Sequence, residues 1–180
     1  MSDGALLCLT PAPAIDRTAH VPRSEQHAVL RPTRLGALPG GKGVNAARAA
    51  QRLGGRVITT GIAGGHAGRW IVEALDAEGL EPRWATATAD SRTTYVIVDE
   101  SGASVLVYER PGPATKAEFE RFLGLLRDEL LPRSARAIVA GSIPAGLDSS
   151  FHAAIVEVCR EAGRPLLVDA SGPGLLAALE

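Results

Sequence analysis

The sequence is poor in several things at once. Its 180 residues include two cysteines, two lysines against seventeen arginines, and only 4% aromatics. No apolar run approaches the roughly eighteen residues that span a bilayer, so a membrane-spanning helix is not expected. The N-terminus has a five-residue apolar stretch, Ala5 to Leu9, with Asp3 before it. A signal peptide needs a basic start and a longer apolar region. Cys8 and Cys159 form no CxxC pair, and His20, His27, His66 and His152 are scattered. A zinc site is not expected, and two buried free thiols suit a reducing cytoplasm. The formal charge is -1, without the basic excess that coats a phosphate backbone, so nucleic acid is not an expected partner. Hydrophobic residues at 46% exclude a disordered chain. The length fits one domain. The arginine bias follows the Ala, Gly and Pro richness of a GC-rich gene, and it makes Lys42, inside a glycine cluster, conspicuous.

Ala5–Leu9 reads as a buried strand running into a proline loop at Pro11 and Pro13. Two polar–apolar stretches, 17–21 and 30–38, read as exposed strands of a flap. Lys42 to Leu53 has apolar positions at 44, 46, 47, 50 and 53, a helical pattern ended by Gly54-Gly55. The remaining expectations alternate. Strands are predicted over 57–62, 137–140 and 166–169, and helices over 67–78, 115–130, 149–162 and from 173 onward. Thr93–Val98 and Ser104–Tyr108 flank a Glu100-Ser-Gly102 turn and read as a hairpin. Thr115 with Glu118 three residues later is a capping box. Strand–helix alternation predicts a parallel α/β sheet with helices on both faces. The sequence stops after a strand and the start of a helix, which reads as the N-terminal part of a larger protein.

The strongest chemical feature is Pro39-Gly-Gly-Lys-Gly-Val-Asn45, which opens the first helix. Glycines there let backbone amides approach a ligand, and a helix N-terminus favours anions. Gly36-x4-Gly41-Lys42 fits the start of a P-loop, but Gly43 stands where the magnesium-binding Ser or Thr belongs. No G-x-S-x-G elbow supports a hydrolase, and no nearby G-x-G-x-x-G supports a dinucleotide enzyme. His66 has no evident carboxylate partner and reads as a loop histidine.

Gly40-Gly-Lys-Gly-Val-Asn-Ala-Ala47, followed at fixed spacing by Gly54 and Gly64, resembles the first signature of the PfkB (ribokinase-like) carbohydrate kinases. Other segments resemble the 1-phosphofructokinase, 6-phosphofructokinase and tagatose-6-phosphate kinase branch. They are Thr10-Pro-Ala-Pro-Ala-Ile-Asp16, Gly61-Ile-Ala-Gly-Gly-His-Ala-Gly68, Ser91-Arg-Thr93, Gly141-Ser-Ile-Pro-Ala-Gly146 and Asp169-Ala-Ser-Gly172. Ala12 stands where that branch usually has Asn, and Tyr108-Glu-Arg-Pro-Gly-Pro113 departs from its N-E-P-G-P.

The resemblance implies a ribokinase-like α/β fold, a mainly parallel sheet flanked by helices with a small β-lid from strands near 17–38 and 93–108. Residues 1–180 would be the N-terminal part of a single kinase domain. It implies that Asp16, Gly40, Gly41 and Asn45 hold the sugar and that Arg92 and Ser142 hold its phosphate. Arg31 aligns with an arginine that this branch offers from the flap, at times to a partner subunit's site, or it is a surface residue. Lys42 faces the phosphates or caps its loop, and Asp169 lies near a magnesium ion. ATP and Mg2+ are the implied cofactors, a hexose phosphate the substrate, and a homodimer through the lid the assembly. The K-P-N, N-x-x-E and G-A-G-D motifs of the family are not in the sequence, so the general base is expected beyond residue 180 and the 180-residue chain is expected to be inactive. A kinase of an unphosphorylated sugar or nucleoside, and a non-catalytic sugar-phosphate-binding protein, are the alternatives.

Overall fold

The computed structural model describes residues 4–24 and 27–179. Among the described residues, nine strands and five α-helices run in chain order. They are β1 (Ala5–Thr10), β2 (Ala14–Val21), β3 (Arg34–Gly40), α1 (Lys42–Arg52), β4 (Val57–Gly64), α2 (Gly65–Ala77), β5 (Ala85–Ala87), β6 (Arg92–Asp99), β7 (Ser104–Tyr108), α3 (Lys116–Leu125), β8 (Ser134–Ala140), α4 (Ser150–Glu161), β9 (Leu166–Asp169) and α5 (Pro173–Leu179).

A five-stranded sheet has the order β5-β4-β1-β8-β9, with every pair parallel. β1 sits at its centre and its side chains alternate between two cores. Leu7 and Leu9 join Ile58, Phe122, Leu126, Phe151 and Ile155 on one face. Cys8 joins Val44, Ile71 and Leu75 on the other. The first core is covered by α3 and α4, the second by α1 and α2. A strand buried on both faces reads as an unbroken apolar run, which is why Ala5–Leu9 was legible. Burial pushes the Cys8 thiol up to about 12 and the Cys159 thiol up to about 11. Neither is a nucleophile at neutral pH.

The second sheet is the predicted lid, with the order β3-β2-β6-β7. β2 pairs antiparallel with β3 and parallel with β6, and β6–β7 is the predicted hairpin. The lid strand predicted from residue 30 begins only at Arg34; Pro32 cannot donate to a ladder and delays it.

Three further differences have plain causes. The helix predicted over 115–130 is α-helical only to Leu125, then continues as a π turn at Leu126–Leu130 and a 3-10 turn at Leu131–Arg133. The leucines at 126, 130 and 131 are all fully buried, and widening the last turn seats them together in the core. β4 runs two residues past the predicted end, through Ala63 and Gly64, and α2 starts directly after it at Gly65, whose φ of 64° makes the corner. β5, three residues long, was not predicted; it pairs with β4 and buries Ala85 and Ala87 in the core that α3 covers. The capping box at Thr115 and Glu118 forms as expected, both of its bonds present. Among the described residues, no helix is long and apolar enough to cross a membrane.

Candidate active site

A cleft of about 1200 Å³ opens where the two sheets meet. One wall is formed by the carboxyl ends of β1, β8 and β9 and the loops that follow them, supplying Thr10, Gly141, Ser142 and Asp169. Open α/β sheets place ligands at this end. The floor is the first turn of α1, with Gly41, Lys42 and Asn45. The other wall is one face of the lid.

Strand periodicity orders that lid face. Ala14, Asp16, Thr18 and His20 of β2 all line the cleft, as do Arg92, Thr94 and Val96 of β6 and Arg34, Gly36 and Leu38 of β3. The register sets them in rungs. Asp16 lies between Thr94 and Leu38, and Ala14 lies between Arg92 and Gly40. Arg92 is therefore one side-chain step, about 7 Å, along the sheet from the Asp16 rung. His20 and Arg34 form the rung at the far end, where Arg34 Nη2 lies 3.1 Å from His20 Nε2. A guanidinium only donates, so that His20 nitrogen accepts.

Asp16 is on β2, half-buried, where its Oδ1 accepts a 2.6 Å hydrogen bond from the Thr94 hydroxyl. Its Oδ2 has no protein donor among the described residues. The carboxylate lies directly over Gly40, and any side chain at position 40 would overlap it. Gly41 is required for a second reason: its φ is 117°, in the region L residues avoid. It precedes α1, and the third helical amide, Val44 N, donates to Thr10 Oγ1 at 2.8 Å. The amides of Lys42 and Gly43 have no intrahelical acceptor.

Asn45 is exposed on the first turn of α1, and its Oδ1 accepts from Arg48 Nη1 at 3.1 Å. Lys42 Nζ donates to Asp169 Oδ2 at 2.9 Å, a pairing that the sequence did not indicate, and both residues line the cleft. Arg92 Nη1 donates to the Glu109 carbonyl at 3.3 Å, while its buried Nε has no partner. The Glu109 carboxylate instead accepts from Thr93 N at 2.7 Å. The Arg92 charge is thus left without a carboxylate partner among the described residues. Ser142 follows β8 and Gly141 and presents an exposed hydroxyl to the cleft. Arg31 is exposed on the β2–β3 connection and does not line the cleft of its own chain. His66 has no carboxylate; its Nδ1 lies 2.7 Å from Arg69 Nη2.

Thr94, Tyr108, Arg48 and His152 are among the cleft residues that were not singled out from the sequence. Thr94 and Tyr108 face each other across β6 and β7; the hairpin spacing sets that pairing, but that its face turns into the cleft depends on the β2–β6 pairing. Arg48 is one helical turn from Asn45, and that spacing was the available signal. His152 is 5% exposed, and neither ring nitrogen has a hydrogen-bond partner. Its ring stands edge-on to Phe151, and burial holds its pKa below the ordinary 6.5.

The sequence pattern of the pfkB family carbohydrate kinases matches residues 8–180. The chain belongs to that family. It is 33% identical over 177 residues to the ATP-dependent 6-phosphofructokinase isozyme 2 of Mycobacterium tuberculosis, an alignment covering 94% of the chain and 50% of that relative. It superposes on phosphofructokinase-2 of Escherichia coli in its tetrameric inhibited form with a TM-score of 0.87 and 27% identity, covering 98% of the chain and 58% of the solved one. The same enzyme in complex with fructose-6-phosphate gives 0.87 and 26%, over the same shares of the two chains. The chain therefore spans about half the length of the curated pfkB relatives it matches. The ribokinase-like α/β fold expected from the glycine signature is the fold found, and the motifs at 10–16, 40–47, 141–146 and 169–172 all reach one cleft.

Proposed function

We propose that the protein carrying this chain is an ATP-dependent kinase of a phosphorylated hexose, and that the cleft is its sugar-phosphate site. The observation that carries the reading is the Asp16–Arg92 pair on the lid. An acceptor-only carboxylate suits hydroxyl groups, and an uncommitted guanidinium one rung away suits a phosphate on the same small molecule. Asn45 and Gly41 complete the sugar side, with Gly40 beneath the Asp16 carboxylate, and the Ser142 hydroxyl joins Arg92 on the phosphate side. Family membership supports phosphoryl transfer from a nucleotide. An unphosphorylated sugar would leave Arg92 without a counter-charge, which is why that alternative is not preferred.

Magnesium would enter with the nucleotide phosphates. Mg2+ commonly takes only one or two protein carboxylates in such sites, so the exposed Asp169 fits as a contributor. When bound, the ion neutralises charge on the transferring phosphoryl. Asp16 and Asn45 hold the sugar, and Arg92 and Ser142 anchor its existing phosphate. Lys42 at the mouth contributes positive charge beside Asp169. Phosphoryl transfer depends on such positioning and charge stabilisation. We assign turnover to residues beyond these 180 together with the sugar site described here. The lid face turned away from the cleft carries exposed apolar side chains, among them Leu35, Tyr95, Val105 and Val107. We assign them to a homodimer contact through the lid, tested by light scattering of a Val107→Lys variant.

The deciding experiment uses the full-length natural product with ATP and Mg2+. Fructose 6-phosphate, fructose 1-phosphate, tagatose 6-phosphate, fructose and a nucleoside are offered in parallel. Turnover on a phosphorylated hexose far above free fructose supports the reading. Preference for free sugar or nucleoside moves the protein to the other branch, and binding without turnover makes it a binding protein.

A further inference from the structure

We propose that Arg48 is a positioning residue that locks the side-chain amide of Asn45, so that the cleft carries one fixed donor and one fixed acceptor for the sugar. The inference rests on reading the cleft as a sugar site and adds a residue and an orientation that this reading does not contain.

An asparagine amide rotated by half a turn exchanges its oxygen and nitrogen, and at a solvent-exposed site both orientations are populated. Asn45 does not have that freedom. Arg48 Nη1 lies 3.1 Å from its Oδ1, and a guanidinium has donors only. The amide oxygen must therefore face Arg48, and the two N–H donors must point the other way. No protein acceptor takes them among the described residues, and Asn45 lines the cleft. Asp16 is the counterpart. Its Oδ1 is occupied by the Thr94 hydroxyl and its Oδ2 is left as a pure acceptor. A sugar hydroxyl both donates and accepts, so a fixed donor and a fixed acceptor admit a polyol in one orientation.

The guanidinium is itself held on three sides. Nε and Nη2 reach the two oxygens of Glu78 at 2.6 and 3.0 Å, and Nη2 also donates to the Pro39 carbonyl at 2.6 Å. Pro39 precedes Gly40, over which the Asp16 carboxylate lies. One planar group thus ties the Asn45 amide, the end of β3 and the end of α2 together. Its charge is met by Glu78, so Arg48 is not the phosphate reader; that leaves Arg92 for the task. Lysine cannot substitute, because a single ammonium lacks the planar fork that serves Glu78, Pro39 and Asn45 at once.

The test is a double-mutant cycle in the full-length protein, with fructose 6-phosphate and ATP binding measured separately by calorimetry. Arg48→Met and Asn45→Ala are each expected to weaken fructose 6-phosphate binding by about tenfold, the upper size of one lost neutral hydrogen bond. The double variant is expected to be no weaker than the worse single one, and ATP binding is expected to stay within twofold. Additive losses, or an Arg48→Met protein that binds like the wild type, overturn the proposal. Should Arg48→Met fail to fold, Asn45→Asp decides, since it keeps an acceptor for Arg48 and replaces the amide donors with a second, negatively charged acceptor. It is expected to fold and to lose about tenfold in affinity, and wild-type affinity there sinks the idea. The NMR resonances of the Asn45 side-chain amide test the lock without ligand. They are expected to shift and broaden in Arg48→Met, and unmoved resonances refute the lock. If the wild type binds no hexose phosphate while those resonances do move, the sugar-phosphate reading falls and the Arg48 lock stands.

Discussion

Lys42 Nζ lies 2.9 Å from Asp169 Oδ2, joining the first residue of α1 to the last residue of β9 across 127 positions of sequence. The two side chains are 64% and 47% exposed, so water and salt screen the pair strongly. Exposed pairs of this kind contribute about 0–1 kcal/mol. Lys42→Met is therefore expected to lower the melting temperature by less than about 4 °C, and by less still in molar salt. A larger, salt-insensitive loss in thermal melts would mean that Lys42 holds β9 in place by some other contact.

Asp16→Asn is expected to preserve the fold, because the amide oxygen can still accept from Thr94. What changes is the second oxygen, which becomes a donor. Affinity for the sugar phosphate is expected to fall by about 1.5–3 kcal/mol, with nucleotide affinity unchanged. Calorimetry with each ligand checks this. Unaltered sugar-phosphate binding would remove Asp16 from the site.

Arg92→Ala separates phosphorylated from free sugars. Its guanidinium has one carbonyl contact and a buried, unpartnered Nε. Activity on fructose 6-phosphate is expected to drop at least tenfold while weak activity on fructose hardly changes, as suits the loss of one charge-assisted anchor. Equal losses on both substrates would assign Arg92 a structural role.

Glu118 contributes to stability on the acid side. The backbone N–H groups of Thr115 and Thr88 donate to its carboxylate at 2.8 and 2.7 Å and hold its pKa down to about 2, against 4.5 unfolded. The unfolded chain thus binds the proton first. This contribution is complete above about pH 4.5 and is lost as pH falls from there toward 2. Urea denaturation from pH 6 to 3 is expected to show the decline, and Glu118→Gln to flatten it while lowering stability at pH 6.

His152 acts in a different window. Burial depresses its pKa below 6.5, so the unfolded chain takes up a proton that the folded one refuses. Its contribution is complete above about pH 6.5 and declines as pH falls below it. Melting curves at pH 7.5 and 5.5 are expected to differ, with the difference reduced in His152→Tyr. A wild type with equal melting temperatures at both pH values would show that His152 is hydrated in solution.

The elements legible in the sequence are those whose signal is local. Ala5–Leu9, the α1 stripe and the Thr115–Glu118 cap each carry their own periodicity or spacing, and each forms where expected. The glycine signature located the cleft floor because Gly40 and Gly41 are required by backbone geometry and close approach. What was hidden depends on pairing at a distance. Thr94 meets Asp16 only through the β2–β6 register, 78 positions apart in sequence. Glu78 meets Arg48 because α2 packs beside α1. The π turn at Leu126–Leu130 answers to core shape, and nothing in its own residues announces it.

The register of β2 also governs which lengths of chain the protein can tolerate. β2 is held on both edges, antiparallel to β3 and parallel to β6. Strand side chains alternate, so deleting one residue within 14–21 would turn Asp16 and Thr18 out of the cleft and turn neighbours such as Arg17 and Ala19 into it. The described residues of the connection from β2 to β3, 22–24 and 27–33, belong to no strand, so a change of length there shifts no strand out of step. Relatives of this chain should therefore differ freely in length between residues 22 and 33, yet keep an unvarying count from Ala14 to Val21. The lid's outline can drift through evolution while its inner face stays in step.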